Sequence, residues 1–142
     1  MNEEEKDYQK SLEKAAKGAK PDFNYKIDVN GKDESSTLLA RGSILLEEGN
    51  NFKCKYRFII GADNNVMVLD LYKGREDKEG TKDNFRKGLY NGIINFNEQL
   101  AKGVDAEKIR ISANKINETI KNLYLLRGYK NNSNNTLEKR LK

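Results

Sequence analysis

Residue types able to do chemistry gather in four places. Arg86 and Lys87, with Lys82 just upstream, precede Gly88 and Gly92. Basic residues followed by spaced glycines at a helix opening suit a polyanion such as a pyrophosphate. Free backbone N–H groups and the helix dipole both favour negative charge there, and glycine lets the backbone come close. The same two glycines, four apart on one helix, also suit close packing on a sheet. Asp70 is a lone carboxylate in the apolar run from Val66 to Leu71, the one obvious candidate for a general base. Tyr124 shares an apolar stripe with Ile116, Ile120 and Leu123, so it reads as core with its hydroxyl reaching water. Lys53, Lys55 and Arg57 alternate along one strand. They read as a wet face or as a stripe for nucleic acid, although no aromatic interleaves them as stacking on single strands would want.

Some chemistry is excluded. The chain has no histidine and one cysteine, Cys54. That removes the commonest general base and metal ligand, makes a zinc site a poor expectation, and excludes Ser-His-Asp and Cys-His hydrolases. Cys54 lies on the apolar side of its strand and reads as core.

The elements that position these residues follow from periodicity. Residues 3–18 predict a helix, acidic early and basic late as the macrodipole prefers. Its thin stripe of Tyr8, Leu12, Ala15 and Ala16 predicts a surface helix. Strict alternation predicts strands over 23–29, 36–46 and 52–60, separated by turns rich in Asn, Gly and Glu. Residues 66–72 are apolar on both faces, which predicts a central strand covered on both sides. Residues 73–83 are charged and read as a loop. Phe85, Leu89, Ile93, Phe96 and Leu100 mark the strongest helix, 83–102, with Gly103 placed to end it. A short strand at 107–112, a helix at 114–127 ending at Gly128, and a last strand at 136–141 complete the order. The strand–helix–strand crossover should be right-handed, with its two strands parallel.

These elements predict an α+β fold, with a mixed sheet made of an antiparallel meander followed by a β-α-β-α unit. A chain of 142 residues is one domain by length: an N-terminal helix (1–20), a meander (23–72) and a C-terminal half (83–142). No apolar run approaches the ~18 residues of a membrane helix, and no signal peptide opens the chain, so cytoplasm is the expected location and no membrane is expected as partner. The net charge of +5 sits at the C-terminal end, where six basic residues from Lys121 to Lys142 face Glu138 alone. A basic end favours phosphates, nucleic acid or a polyanionic cofactor.

Two segments resemble the GNAT acetyltransferase superfamily, over roughly residues 60–142. One runs from Asn117 through Leu123-Tyr124 to Gly128-Tyr129. It is similar to that family's Asn, then Leu-Tyr at a helix end, then Gly and an aromatic. The other, Phe85 to Gly92, is similar to its glycine-rich pyrophosphate loop, with Tyr90 where a second small residue is expected. The tail Leu137 to Leu141 is similar to the closing strand. The resemblance implies an acyl-CoA-dependent N-acyltransferase that uses acetyl-CoA and transfers to a small-molecule or protein amine. It implies cofactor contacts at Leu69, Leu71, Arg86, Lys87, Gly88, Leu89, Tyr90, Asn117 and Tyr124. Tyr124 would be the acid for the departing thiolate, and Asp70 or a relayed water the base. The alternative is a catalytically inactive α+β module that engages nucleic acid or a protein through its basic surface.

Overall fold

The computed structural model describes residues 3–31, 38–49, 52–61, 66–71, 87–112, 118–132 and 135–142. Helix α1 (Glu3–Ala19) is followed by four strands: β1 (Asn24–Gly31), β2 (Leu38–Glu48), β3 (Phe52–Gly61) and β4 (Val66–Leu71). Then come α2 (Lys87–Gly103), β5 (Lys108–Ser112), α3 (Glu118–Leu126), β6 (Lys130–Asn131) and β7 (Thr136–Arg140). The strands form one seven-stranded mixed sheet in the order β1-β2-β3-β4-β5-β7-β6. Strands β1 to β4 pair antiparallel as a meander, β4 and β5 pair parallel, and β7 returns antiparallel between β5 and β6. The class and the parallel crossover pair agree with the periodicity. The two-residue β6 has no signal in the sequence, being too short to show a period.

Alternation sorts the sheet into two faces. Ile27, Ile44 and Tyr56 stand in one cross-strand row, and Val29, Gly42, Phe58 and Leu69 in another. Their side chains are buried beneath the helices. Phe96 of α2 meets Phe23 edge-on with centroids 5.3 Å apart and lies against Tyr25 at 5.4 Å. The other face carries Lys53, Lys55, Arg57 and Ile59, all exposed, and no described helix packs on it. The expectation for β4 is therefore corrected. It is central, fourth of seven, but the described helices cover one side only: Leu69 is buried there, while on the other face Val66 is buried and Val68 half-buried. Its apolar residues on that side pack laterally, Val68 lying between Ile59 and Arg110 in the ladder.

Helix α1 lies at the surface as expected, most of its residues being exposed or half-buried. Leu12 and Ala16 are fully buried, because the thin stripe meets α2 as well as the sheet. Gly103 permits this. A Cβ there would stand 2.5 Å from the Ala15 Cβ, so Gly103 serves helix–helix contact; the residue with positive φ beyond α2 is Asp105. Gly42 is required in the same way, since a Cβ would overlap the Asp28 carbonyl oxygen and the Phe58 ring.

Candidate functional site

Because β4 and β5 run parallel, with Met67 opposite Ile109 and Leu69 opposite Ile111, both strands end at the same edge of the sheet. Helix α2 starts from that edge and returns to feed β5; α3 starts from it after β5. In open sheets of this kind ligands bind outside the carboxyl ends of the strands. The first described turn of α2 contains Lys87 and no acidic residue, which suits an anion at its N-terminus. Lys87, Gly88 and Leu89 are placed there by their backbone, as Leu71 is at the end of β4. Arg86, Asn117 and the 73–83 loop lie outside the described residues. Leu69 is fully buried under the helices. A Cβ at Gly92 would meet only Phe23 Cε2, at 3.9 Å, so close packing does not demand glycine there.

Beneath α2 and α3 lies a polar cluster that sequence periodicity did not reveal. The Tyr56 hydroxyl donates to Asn97 Oδ1, both residues being buried, and Asn97 Nδ2 has no partner among the described residues. Tyr124 joins them, almost wholly buried. Burial pushes its phenol far above the ordinary range, and nearby Tyr90, Cys54 and Glu98 add to the rise while Arg127 opposes it. Tyr56 is raised by burial too, then by Cys54 and Tyr124, against the Asn97 hydrogen bond. Tyr90 and Cys54 are only half-buried. Tyr56 stands opposite Leu71, so Cys54, two residues earlier, lies level with the end of β4.

The spacing from Tyr124 to Gly128 and Tyr129 has a local physical meaning. Tyr129 N–H donates to the Tyr124 carbonyl at 3.1 Å and Gly128 N–H to that of Leu125 at 3.1 Å. With φ of 94° at Gly128, this is a Schellman cap. The cap brings the Tyr124 and Tyr129 rings edge to face, centroids 4.9 Å apart. It also delivers the Tyr129 hydroxyl to Glu98 Oε2 at 2.9 Å. Glu98 is buried, and Lys139 of β7 reaches its Oε1 at 3.3 Å, with Arg127 Nη2 at 3.9 Å. Lys139 also lies 5.7 Å from the Tyr129 ring centroid. A carboxylate buried this way requires such partners, and the network ties α2, the end of α3 and β7 together. Asn97 and Glu98 were overlooked in the sequence because α2 faces the sheet, α1 and α3 together. Its buried face is broader than the stripe of Ile93, Phe96 and Leu100, and takes in Ile94, Asn97, Glu98 and Ala101.

Asp70 is not brought to this cluster. It stands opposite Arg57 on the open face, where the two side chains pair at 3.5 Å with 66% and 35% exposure of Arg57 and Asp70. On the same face Glu138 pairs with Arg110 at 2.7 Å and with Lys108 at 3.5 Å. Partial burial raises the Glu138 carboxyl, but Arg110 and Lys108 outweigh it and hold the group below the usual carboxylate range. Among the described residues no group of three metal-ligating side chains forms, and no helix is long and apolar enough to cross a membrane. No protein-family model matches the sequence, and no curated protein matches it.

Proposed function

We propose that the chain is an acyl-CoA-dependent N-acyltransferase of GNAT-like architecture, transferring an acetyl group to an amine. The observation that carries this reading is the parallel β4–β5 pair, each strand followed by a helix that starts from the same edge. That order agrees with the resemblance carried by residues 60–142, and the chain closes on strand β7 as the resemblance implies. The pyrophosphate belongs at the start of α2, where backbone N–H groups and Lys87 receive it. In the transfer, the amine nitrogen bonds to the acyl carbon and the C–S bond breaks, its electron pair leaving on sulfur. The sulfur takes the Tyr124 hydroxyl proton, and the amine gives its own proton to water. The Tyr124 phenol is protonated at neutral pH and burial raises its pKa further, so the proton it gives to sulfur is promptly returned by the water that took the amine's proton. Asp70, on the open face, would reach the amine only through a relay of water.

Acetyl-CoA titrated into the protein by calorimetry tests the reading. Binding is expected, together with its loss in a folded Gly88→Val variant. No binding at millimolar concentration removes the cofactor and the enzyme.

The basic open face supports a second reading, a non-catalytic module that binds nucleic acid. Lys53, Lys55 and Arg57 succeed one another about 6.7 Å apart along β3, all exposed. Retention of single-stranded RNA that falls with salt, and falls further in a Lys53→Glu, Lys55→Glu double variant, would support it. Salt-independent or absent retention removes it.

A further inference from the structure

Asn97 holds a hydrogen-bond donor that no described residue uses. Its amide is 1% exposed, the Tyr56 hydroxyl occupies its Oδ1, and its Nδ2 has no acceptor among the described residues. Buried donors without acceptors are rare and costly, so an acceptor from outside the chain is the natural complement.

The surroundings state what kind of acceptor. Asn97 is followed by the buried carboxylate Glu98, and the cluster's cations, Arg127 and Lys139, pair with that carboxylate. Tyr56 and Tyr124 are buried phenols. Asn97 Nδ2 offers a single neutral N–H donor beside buried phenols, and a neutral carbonyl oxygen matches one such donor without bringing a further charge into the core. The half-buried members of the cluster, Cys54 and Tyr90, lie on the side where β4 ends and α2 begins, so a ligand that reaches Asn97 would enter from that edge.

We infer that Asn97 is a specificity residue of the acyl site: its Nδ2, oriented by Tyr56, donates to the carbonyl oxygen of the bound thioester. The inference rests on the acyltransferase reading above. It assigns Tyr56 a positioning role, since losing that hydroxyl frees the amide to turn. It also separates recognition of the acyl group, at Asn97, from recognition of the pyrophosphate, at the start of α2.

The test compares two ligands that share everything except the carbonyl, acetyl-CoA and S-ethyl-CoA, by calorimetry on the full chain. Wild type is expected to bind acetyl-CoA roughly tenfold more tightly, the worth of one good buried hydrogen bond. Asn97→Leu is expected to bind S-ethyl-CoA as wild type does and to lose the preference. Tyr56→Phe is expected to shrink the preference while S-ethyl-CoA binding persists. Equal affinity of wild type for the two ligands overturns the inference and leaves the acyltransferase reading standing, as does a preference that survives Asn97→Leu. Should Asn97→Leu fail to fold, the wild-type comparison and Tyr56→Phe decide alone. Binding of neither ligand removes the acyltransferase reading and this inference with it.

Discussion

Asp70 and Tyr124 lie on opposite faces of one sheet. Asp70 pairs with Arg57 on the open side, and Tyr124 is buried with Tyr56 and Tyr129 beneath the helices. A carboxylate and a phenol kept apart by a strand layer cannot exchange a proton directly. Asp70→Asn is therefore expected to leave slow acetyl-CoA hydrolysis within about twofold. It should change stability by no more than about 0.5 kcal/mol, because the pair is solvent-exposed. A thousandfold loss of turnover in a folded Asp70→Asn variant would contradict the separation.

Tyr124 can be tested by removing one oxygen. Tyr124→Phe keeps the ring, and with it the edge-to-face contact to Tyr129. If the hydroxyl protonates the departing thiolate, turnover should fall by about 10²–10⁴-fold, with acetyl-CoA affinity and thermal midpoint nearly unchanged. Wild-type turnover in Tyr124→Phe would leave the residue as the ring that completes the α3 cap.

Alkaline pH should unfold the chain through its buried phenols. Burial raises Tyr56, Tyr124 and Tyr129 above their ordinary value near 10, and for Tyr129 the charge of Glu98 and the hydrogen bond to it add to the effect. Below pH ~10 the phenols are protonated in both states, so their contribution is fully present. Above it the unfolded chain gives up protons that the folded chain keeps, and stability falls as pH rises. Tyrosinate absorbance should show at least three of the seven tyrosines ionising only as the circular dichroism signal is lost. Smooth ionisation of all seven in a folded chain would refute the burial.

The helix glycines separate packing from function. Gly92 has room for a methyl group, so Gly92→Ala should stabilise by about 0.8–1.0 kcal/mol, the helix-propensity difference, with acetyl-CoA affinity retained. Gly103 has none, and Gly103→Val should cost roughly 1–3 kcal/mol by forcing α1 from α2. Chemical denaturation of the two variants reads both signs.

What was legible in the sequence follows from period. β1 and β3 alternate between apolar and polar residues, which assigns their faces from sequence, and the apolar run of β4 places it at the centre. An apolar side chain flanked by strand neighbours needs no helix above it, so the apolar run of β4 does not by itself call for cover on both sides. Gly103 looked like a cap because its contact, Ala15, is 88 positions away in the chain. At Gly128 the local pattern is enough, since a Schellman cap is made within six residues. The Tyr56–Asn97 and Tyr129–Glu98 bonds span 41 and 31 positions. No local pattern encodes such pairs, and the candidate site is built largely from them.

The edge of the sheet offers the last test. β1 ends the strand order, and an unpaired edge invites pairing with another chain. Gln9 of α1 closes part of it. Its Nε2 donates to the Ile27 carbonyl at 2.7 Å, and its Oε1 accepts from Val29 N–H at 2.8 Å. One side-chain amide thus takes the place that a neighbouring strand's peptide would fill, and Glu13 steadies it by accepting from Nε2 at 3.0 Å. Gln9→Ala removes both bonds. At about 0.5–1.5 kcal/mol each, stability should drop by roughly 1–3 kcal/mol, and sedimentation velocity should show more concentration-dependent association than in wild type. Gln9→Glu keeps the acceptor for Val29 and loses the donor for Ile27, so it should fall between the two. A Gln9→Ala protein with unchanged stability and unchanged sedimentation would show that the edge is guarded by something other than this amide.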